Sequence, residues 1–370
     1  MRKVAVFFGG KSSEREISVL TGVFALNVLG KDTYDILPVY VGEDGNFYTA
    51  EKMVDLAVFK GKEQNFSQVF FDSGKGYCWD KKRKHARCLG TIDVALNCCH
   101  GGILEGGGVS ALMTMQGVAV ASPDLASSSI FMDKTLTKLF AKSLGIPVVD
   151  YVRVEEKDYR KRGKYLLKTV SLRLKYPVVV KPARQGSSIG VCVANDEGQL
   201  QKALETAFSL DTLAVVEKYL PKKKDVNCAA YRLQGEIILS EAEVANSDDG
   251  VYDFSKKYLK EGGDFLKGGG RVTLEGKLRD KIRHYTKLLY KRLGVSGVVR
   301  ADFLIGGEGE VYLSEVNAVP GSLAYYLFCE RLTDAKEFFC DLIEEGILEQ
   351  ERRQKQIPET GVLTGITLRK

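Results

Sequence analysis

The sequence has few of the residues from which zinc sites and disulfide frameworks are built. Its 370 residues include three His, and none of its eight Cys has Cys-x-x-Cys spacing, which argues against both. Cys98 and Cys99 lie in an apolar run and are expected to be buried and reduced. The apolar stretch VAVFF near the start is too short for a signal peptide, and no later segment has transmembrane length. We therefore expect a cytoplasmic protein without a membrane partner.

The sequence also lacks a strongly basic region of the kind that binds nucleic acid. Its formal net charge of +6 is spread along the chain, and the densest basic run, DKKRKHAR at 80–87, is interpreted as a solvated loop. No other segment interleaves aromatic with basic residues, so no nucleic-acid partner is expected. An apolar fraction of 44% is ordinary for a globular protein, and the length predicts two or three domains.

The first third of the chain has the pattern of a parallel α/β domain. VAVFF is followed by two glycines and a helical pattern that includes Ile17, Leu20 and Val23, and IDVALNCCH at 92–100 again runs into glycines. Strands that end in Gly-rich loops ahead of helices predict a doubly wound sheet, with its ligand site at the carboxyl ends of the strands. Residues 40–90 contain extra short strands and are interpreted as an insertion.

The remaining chain alternates short buried strands with helices. One helix, which contains Ile130 and Leu144, is expected to end at Gly145. Beyond it we expect strands at YPVVVKP and TLAVVEKYL, helices at 197–208 and 276–293, a hairpin at 301–317 and an amphipathic helix at EFFCDLIEEGILEQERRQ. No internal repeat or low-complexity segment interrupts this order.

The hairpin ADFLIGGEGEVYLSEVN, residues 301–317, carries three potential metal ligands, Asp302, Glu315 and Asn317. A turn at GGEG pairs Asp302 with Leu313. Glu315 is then a diagonal neighbour on the same face, at roughly 7–8 Å, a gap that a bound ion can bridge. Three oxygen ligands favour Mg²⁺ over Zn²⁺. By spacing alone, an exposed hairpin with alternating polar residues is an equally good interpretation.

Two lysines and a Gly-rich loop indicate an anion site. YPVVVKPARQGSSIGV brings Lys181 out of a buried strand into a Gly/Ser loop whose backbone N–H groups suit a phosphate, and Lys134 on the preceding helix can reach the same anion. The pattern is not a Walker loop, because GxxxxGK[ST] is absent. EKYL at 217–220 offers an acidic side chain followed by main chain at a strand end, which fits an adenine edge.

Taken in order, these segments resemble the ATP-grasp ligases, and among them the D-alanine–D-alanine ligases. The motifs that carry the resemblance are GGKSSEREIS, HGGILEGGG, MDKTLTK, YPVVVKPARQGSSIGV, VVEKYL, YDFSKKYL, RADFLI and LSEVNAVPG. The resemblance implies the ATP-grasp fold, with a doubly wound α/β N-terminal domain and two α+β lobes that grip ATP. The implied boundaries are 1–125 for the N-terminal domain, 126–216 for the central lobe, 217–360 for the C-terminal lobe with the metal site, and 361–370 for a tail.

The resemblance also implies a reaction. ATP phosphorylates the carboxylate of one D-alanine, and the amine of a second D-alanine attacks the acyl phosphate to give a peptidoglycan precursor. Such a transfer needs Mg²⁺, cations around the phosphates, donors for an oxyanion, and exclusion of water. The implied cofactors are ATP and two Mg²⁺ ions, for which Mn²⁺ can substitute. The implied partners are these small molecules and a second subunit in a homodimer.

By the same resemblance, Asp302, Glu315 and Asn317 hold the two ions, with Glu315 bridging them. Lys134 and Lys181 contact the ATP phosphates. The other implied roles are adenine contacts for Glu217, Lys218 and Leu220, a ribose contact for Asp225, and stabilisation of the tetrahedral intermediate by Arg300 and the backbone N–H of Gly321.

Five further residues match substrate-side or loop positions of the family. Glu16 matches the carboxylate that binds the ammonium of the first D-alanine, although Ser-x-x-Glu before a helical run also fits a capping box. His100 matches a substrate-side histidine. Ser187 matches a serine of the phosphate-side loop. Lys257 and Tyr258 match the Lys-Tyr of the loop that closes the site, where a Ser–Tyr hydrogen bond would couple closure to catalysis.

Three positions depart from the family pattern. Gly106 stands where a second carboxylate is usual, and Asp225 matches the ribose-binding glutamate only if one residue is inserted. Tyr326 stands where the family has a serine that binds the carboxylate of the second D-amino acid. A phenol can still donate a hydrogen bond, but its ring fills far more space.

These observations leave three hypotheses. The first is a D-alanine–D-alanine ligase, with which Tyr258 is consistent. The second is an ATP-grasp paralogue that joins D-alanine to another acceptor such as D-serine, as Tyr326 and Gly106 suggest. The third is a nucleotide-binding protein without ligase activity, against which Arg300 and Glu315 argue because a mere binder would not need them.

Overall fold

The computed structural model describes residues 1–30, 32–60, 66–80, 83–245 and 272–355, which form three β-sheets with helices packed on them. The helices are α1 (Arg15–Leu29), α2 (Val109–Met115), α3 (Leu125–Met132), α4 (Lys134–Ser143), α5 (Glu156–Leu174), α6 (Glu197–Phe208), α7 (Gly276–Arg292) and α8 (Ala335–Arg353). In this part of the chain, no helix is both long and apolar enough to cross a membrane.

The first sheet has eight strands in the order β6-β5-β4-β3-β2-β1-β7-β8. The strands are β1 (Lys3–Gly9), β2 (Asp35–Val41), β3 (Phe47–Thr49), β4 (Ser67–Asp72), β5 (Lys75–Asp80), β6 (His85–Thr91), β7 (Val94–Asn97) and β8 (Ala119–Val120). Strands β2, β1, β7 and β8 are parallel, as predicted for the N-terminal domain. Strands β3 to β6 add an antiparallel meander at one edge, which confirms the extra strands expected within 40–90.

The apolar runs at the start of the chain explain why β1 is central. Nearly every residue of KVAVFFG is buried, because helices or strands cover both faces of a parallel sheet. Cys98 and Cys99, just after β7, are buried and unbridged, as predicted.

The second sheet is antiparallel, in the order β11-β10-β12-β9. Its strands are β9 (Tyr151–Glu155), β10 (Val178–Pro182), β11 (Cys192–Ala194) and β12 (Leu213–Lys218). Helices α5 and α6 share a core with it. Asp196 caps α6 by accepting a hydrogen bond from the Gln199 N–H, so the predicted helix at 197–208 is confirmed.

The third sheet has the order β16-β15-β13-β17-β18, with β14 paired to β13. Its strands are β13 (Lys224–Leu233), β14 (Glu236–Leu239), β15 (Glu243–Val244), β16 (Val272–Thr273), β17 (Val299–Ile305) and β18 (Val311–Asn317). Helix α7 packs on this sheet. The alternate residues Val299, Ala301, Phe303 and Ile305 are buried in the shared core, as the strand pattern predicts.

The prediction of one helix from about 130 to 144 was wrong. Asp133 leaves the helical conformation and separates α3 from α4. Its carboxylate accepts hydrogen bonds from the Thr135 and Leu136 N–H groups, so it acts as the N-cap of the second helix. The break puts Lys134 in the first turn of α4, where its N–H donates to the Ala183 carbonyl at 3.0 Å.

The predicted register of the hairpin was also wrong. Phe303 pairs with Leu313, but the next pair is Asp302 with Glu315, so Ser314 is an extra residue in a β-bulge. A regular ladder would put Leu313 and Glu315 on one face. The bulge instead lets Leu313 enter the core while Glu315 stands directly opposite Asp302.

Helix α8 packs into a core that also contains residues of the first sheet, such as Val94 and Leu96, and of the third, such as Tyr231. The C-terminal helix therefore joins the first and third sheets. The domain boundaries given above stay a prediction.

Candidate active site

A cavity of about 460 Å³ lies where the three sheets meet. Most of the predicted site residues line it. They are His100, Lys134, Lys181, Ser187, Glu217, Lys218, Leu220, Asp225, Arg300, Asp302, Glu315, Asn317, Gly321 and Tyr326. Lys257 and Tyr258 lie outside the residues that the structure describes.

Glu16 is not brought to the cavity. Its side chain is exposed on α1, whereas Glu14, two residues earlier, is buried and lines the cavity. The capping box is not formed either, because Ser13 Oγ donates to Gln185 Oε1 at 2.9 Å and α1 begins only after Glu14. The carboxylate of this motif that faces the cavity is therefore that of Glu14.

Gly186 and Ser187 of the Gly/Ser loop lie directly against the Glu14 carboxylate. Ser187 Oγ donates a hydrogen bond to Glu14 Oε1, and a Cβ at Gly186 would lie 2.5 Å from Glu14 Oε2. Ser187 has a φ of +52°, a left-handed conformation that is uncommon for a residue with a side chain. A side chain at position 186 would therefore have to displace the Glu14 carboxylate, which the hydrogen bond from Ser187 orients.

The His100 ring is hydrogen-bonded to Thr21, a residue for which the sequence predicted no role. Its Nε2 lies 2.9 Å from Thr21 Oγ1, and Thr21 Oγ1 accepts a hydrogen bond from the Ser322 N–H at 3.1 Å. Thr21 is fully buried in α1. It therefore connects His100 to the turn that follows Gly321.

Glu105 is a second carboxylate that lines the cavity together with Glu14, and no role was predicted for it. It accepts hydrogen bonds from the N–H groups of Gly101 at 2.6 Å and Val319 at 3.4 Å. Burial, reinforced by the nearby charge of Glu14, raises the pKa of Glu105 to about 8. A carboxyl with such a pKa is largely protonated at pH 7.

Arg300 is fixed on two sides. Its Nε and Nη2 donate to the two oxygens of Asp302 at 2.7 and 2.8 Å, which is a bidentate pair. Its Nη1 donates to the phenolic oxygen of Tyr326 at 3.1 Å. The guanidinium is buried, and its plane is thus set by Asp302 and Tyr326 before any substrate binds.

The metal-ligand candidates form one row. Asp302 and Glu315 are cross-strand partners, and Asn317 Nδ2 donates to Asp302 Oδ2 at 3.0 Å. Within the described ranges, no group of three or more His, Cys, Asp or Glu side chains could hold a metal, so the row offers two carboxylates and an amide. That donor set fits Mg²⁺, which often takes one or two protein carboxylates and completes its octahedron with phosphate and water oxygens.

The lysines form a cationic wall beside this row. Lys134 Nζ lies 3.1 Å from Glu315 Oε2 and donates to the Gln185 carbonyl at 2.6 Å. Lys181 extends from the end of β10, and its Nζ lies 2.8 Å from Glu217 Oε2. These positions follow from the cap at Asp133 and from the buried run VVVKP, which direct both ammonium groups into the same cavity.

Glu217 lies at the end of β12 with its carboxylate almost fully buried. Its other oxygen, Oε1, lies 2.9 Å from Lys138 Nζ, a fully buried ammonium on α4 that no prediction included. Burial alone would raise the pKa of Glu217, but Lys138 and Lys181 outweigh it and lower the pKa. The motif MDKTLTK held the signal, because Lys134 and Lys138 are one helical turn apart.

Lys218, Leu220 and Asp225 complete this side of the cavity. Asp225 is paired with the ammonium of Lys223.

Comparison with family models and with curated proteins finds D-alanine–D-alanine ligases in each case. The family model described as D-ala D-ala ligase N-terminus matches residues 3–123, and the model described as D-ala D-ala ligase C-terminus matches residues 140–348. Among curated relatives, the D-alanine–D-alanine ligase of Thermosipho africanus is 34% identical over 329 residues, 89% of this chain and 88% of the relative. The enzyme of that name from Campylobacter jejuni is 31% identical over 334 residues, 88% of this chain and 89% of the relative.

Comparison with solved structures also finds ligases of this kind. The crystal structure of the D-alanine–D-alanine ligase from Helicobacter pylori matches with a TM-score of 0.75 at 28% identity, over 93% of this chain and 98% of that one. The VanG D-Ala:D-Ser ligase from Enterococcus faecalis matches with a TM-score of 0.72 at 23% identity, over 94% and 99% of the two chains. The second likeness shows the fold alone.

Proposed function

The chain belongs to the D-alanine–D-alanine ligase family, and we propose that it joins two D-alanine molecules into D-alanyl-D-alanine while converting ATP to ADP and phosphate. The product is a building block of peptidoglycan precursors, and we assign the reaction to the cytoplasm, where ATP is available. The observation that carries the proposal is that one cavity is lined by two lysines, by an arginine with metal-ligand candidates, and by a buried carboxylate. These residues are Lys134, Lys181, Arg300, Asp302, Glu315, Asn317 and Glu14.

Glu14 is assigned to the first substrate. A carboxylate oriented by Ser187 and packed under Gly186 suits the ammonium group of a D-amino acid. Its proposed role replaces the one that the sequence had given to Glu16. With its ammonium at Glu14, the substrate directs its own carboxylate toward Lys134 and Lys181, where it attacks the terminal phosphorus of ATP. An acyl phosphate forms as the bond from that phosphorus to the bridging oxygen breaks and ADP leaves.

Arg300 and the Gly321 N–H are assigned to the second step. The amine of the second D-alanine attacks the carbonyl carbon of the acyl phosphate, a negative charge develops on the carbonyl oxygen, and phosphate leaves as the peptide bond forms. A guanidinium already fixed by Asp302 needs no reorganisation when this charge appears. Lys134 and Lys181 are assigned to the phosphate groups.

Asp302, Glu315 and Asn317 would hold Mg²⁺, two ions by the family pattern. When bound, the ions supply charge neutralisation and Lewis acidity to the phosphoryl oxygens. Lys134 already pairs with Glu315, so this lysine and the ions would share the same carboxylate.

A second candidate acceptor is favoured by one observation. Tyr326, which stands where the family has a serine, lines the cavity and uses its hydroxyl oxygen to accept from Arg300. A ring at this position changes the shape of the acceptor pocket, which keeps an acceptor such as D-serine as the alternative.

The test is phosphate release from MgATP with D-alanine alone and with a panel of second amino acids. The proposal predicts release with D-alanine alone and a dipeptide of two D-alanines. Turnover only when D-serine or another acceptor is added would replace it with the alternative. Absence of amino-acid-dependent turnover with every pair would refute both.

A further inference from the structure

The side chain of Lys138 is fully buried behind the cavity, and the proposed reaction gives it no role. Burying an ammonium group is unfavourable unless a partner compensates for the lost hydration. Within the described residues, its Nζ contacts the Glu217 carboxylate at 2.9 Å and lies 5.7 Å from the centre of the Tyr151 ring. Lys138 is not among the residues that line the cavity, so its connection to the cavity is its ion pair with Glu217.

Glu217 is shared between two lysines. Oε1 pairs with Lys138 and Oε2 pairs with Lys181, whose ammonium lies at the cavity wall. We refer to Lys138, Glu217 and Lys181 as the buried trio. Two ammonium groups and one carboxylate leave the buried trio with a net charge of +1.

The shared carboxylate matters for Lys181. If Glu217 had Lys181 as its one partner, the pair would be neutral, and Lys181 would present little positive field to an anion. With Lys138 taking one oxygen, Glu217 fixes the position of Lys181 without cancelling its charge. Inside a protein this difference is large, because the low dielectric weakens screening.

We propose that Lys138 is a positioning residue for the nucleotide, which keeps Lys181 oriented and positively charged by sharing Glu217. This inference rests on the proposed function for the identity of the anion, the phosphates of ATP. The pKa of Lys181 agrees with it, because Glu217 outweighs the cost of burial and raises that pKa. Burial lowers the pKa of Lys138, and Glu217 opposes this lowering.

The charge of the trio can be set by substitution. Lys138→Met keeps most of the length of the side chain and brings the trio from +1 to 0. Lys138→Arg keeps the trio at +1 and keeps a cation beside Glu217, and because arginine is favoured in buried ion pairs this conservative variant is expected to fold.

Affinity for ATP is measured by titration calorimetry without any amino acid, and unfolding temperature is measured in parallel. We expect Lys138→Met to weaken ATP binding about tenfold or more, and Lys138→Arg to bind within about threefold of the wild type. Because no amino acid is present, failure of the ligase proposal does not affect the result.

Two results would overturn the inference. One is a folded Lys138→Met variant with wild-type ATP affinity, which would leave Lys138 with a structural role. The other is a folded Lys138→Arg variant in which ATP binding is weakened as much as in Lys138→Met, or more than about tenfold if Lys138→Met does not fold. Exposed Lys142 on the same helix, changed to Met, is the matched control and should leave ATP affinity unchanged.

Discussion

The two ends of the cavity are built in different ways. The phosphate end, which contains Lys134, Lys181 and Glu217, comes from one helix and two neighbouring strands of the second sheet. The amino-acid end is assembled across long sequence distances. Glu14 and Ser187 are 173 residues apart, and Glu105 and Val319 are 214 residues apart. The phosphate end is therefore drawn from one span of the chain, residues 134–217, whereas the amino-acid end exists only once the sheets have met.

This difference decided what could be predicted from the sequence. Lys181 and Lys134 were placed correctly in the cavity, because a buried strand ending in a lysine is visible in a few residues. Glu14 and Glu16 are the same residue type two positions apart, and the direction of each depends on where α1 begins. The bulge at Ser314 was missed for a similar reason, since an alternating pattern does not show an inserted residue.

The parallel strands and the helix at 197–208 were predicted because hydrophobic periodicity and capping residues are local. The burial of Glu105 and Lys138 was not, because each is surrounded by residues distant in sequence. The largest effect on turnover is expected at Glu315, the candidate metal ligand whose carboxylate pairs with Lys134.

Glu315→Gln is expected to have the largest effect. It removes one of the two carboxylates facing a cation but keeps the shape of the side chain, so the protein should stay folded. Because Lewis-acid stabilisation is worth several kcal/mol and about 1.4 kcal/mol corresponds to tenfold, turnover should fall at least about 1,000-fold. Phosphate release with D-alanine measures it, with the unfolding temperature as control. Near-normal turnover would refute the metal assignment.

The pair Glu14→Gln and Glu16→Gln separates the cavity carboxylate from the exposed one. Glutamine at 14 can still accept the hydrogen bond from Ser187, so the loss is that of one charge toward the substrate ammonium. We expect kcat/KM for D-alanine to fall about 100-fold for Glu14→Gln, from the usual strength of a charge-assisted contact, and to stay unchanged for Glu16→Gln. The reverse order of the two variants would return the role to Glu16.

Tyr326→Phe tests the side chain that departs from the family pattern. It removes the oxygen that accepts from Arg300 Nη1 but keeps the ring. A hydrogen bond of ordinary net value predicts a fall in kcat of about 2- to 10-fold, with KM for ATP unchanged. Tyr326→Ser is the companion variant, and it should broaden the range of acceptors. If both variants behave like the wild type toward every acceptor, Tyr326 has no part in the second step.

The smallest effect concerns stability and pH at Glu105. Its pKa is raised from an ordinary 4.5 to about 8 in the folded protein, so between these values the folded state keeps a proton that the unfolded state has released. The stability from this group is complete below about pH 4.5 and is lost as the pH rises through about 8. Glu105→Gln, which cannot ionise, should flatten the fall in unfolding temperature between pH 5 and 8.5.

Glu16→Gln is again the control, because an exposed carboxylate should leave that slope unchanged. An identical slope in wild-type protein and Glu105→Gln would show that Glu105 is ionised throughout this range.

The central claim is that both steps of the reaction occur in one cavity and that the energy of ATP is coupled to one peptide bond. It is tested by quantifying ADP, phosphate and D-alanyl-D-alanine in the same reaction with MgATP and D-alanine as the amino acid. The account predicts one phosphate and one dipeptide for each ADP formed. Steady release of ADP and phosphate without dipeptide would contradict it.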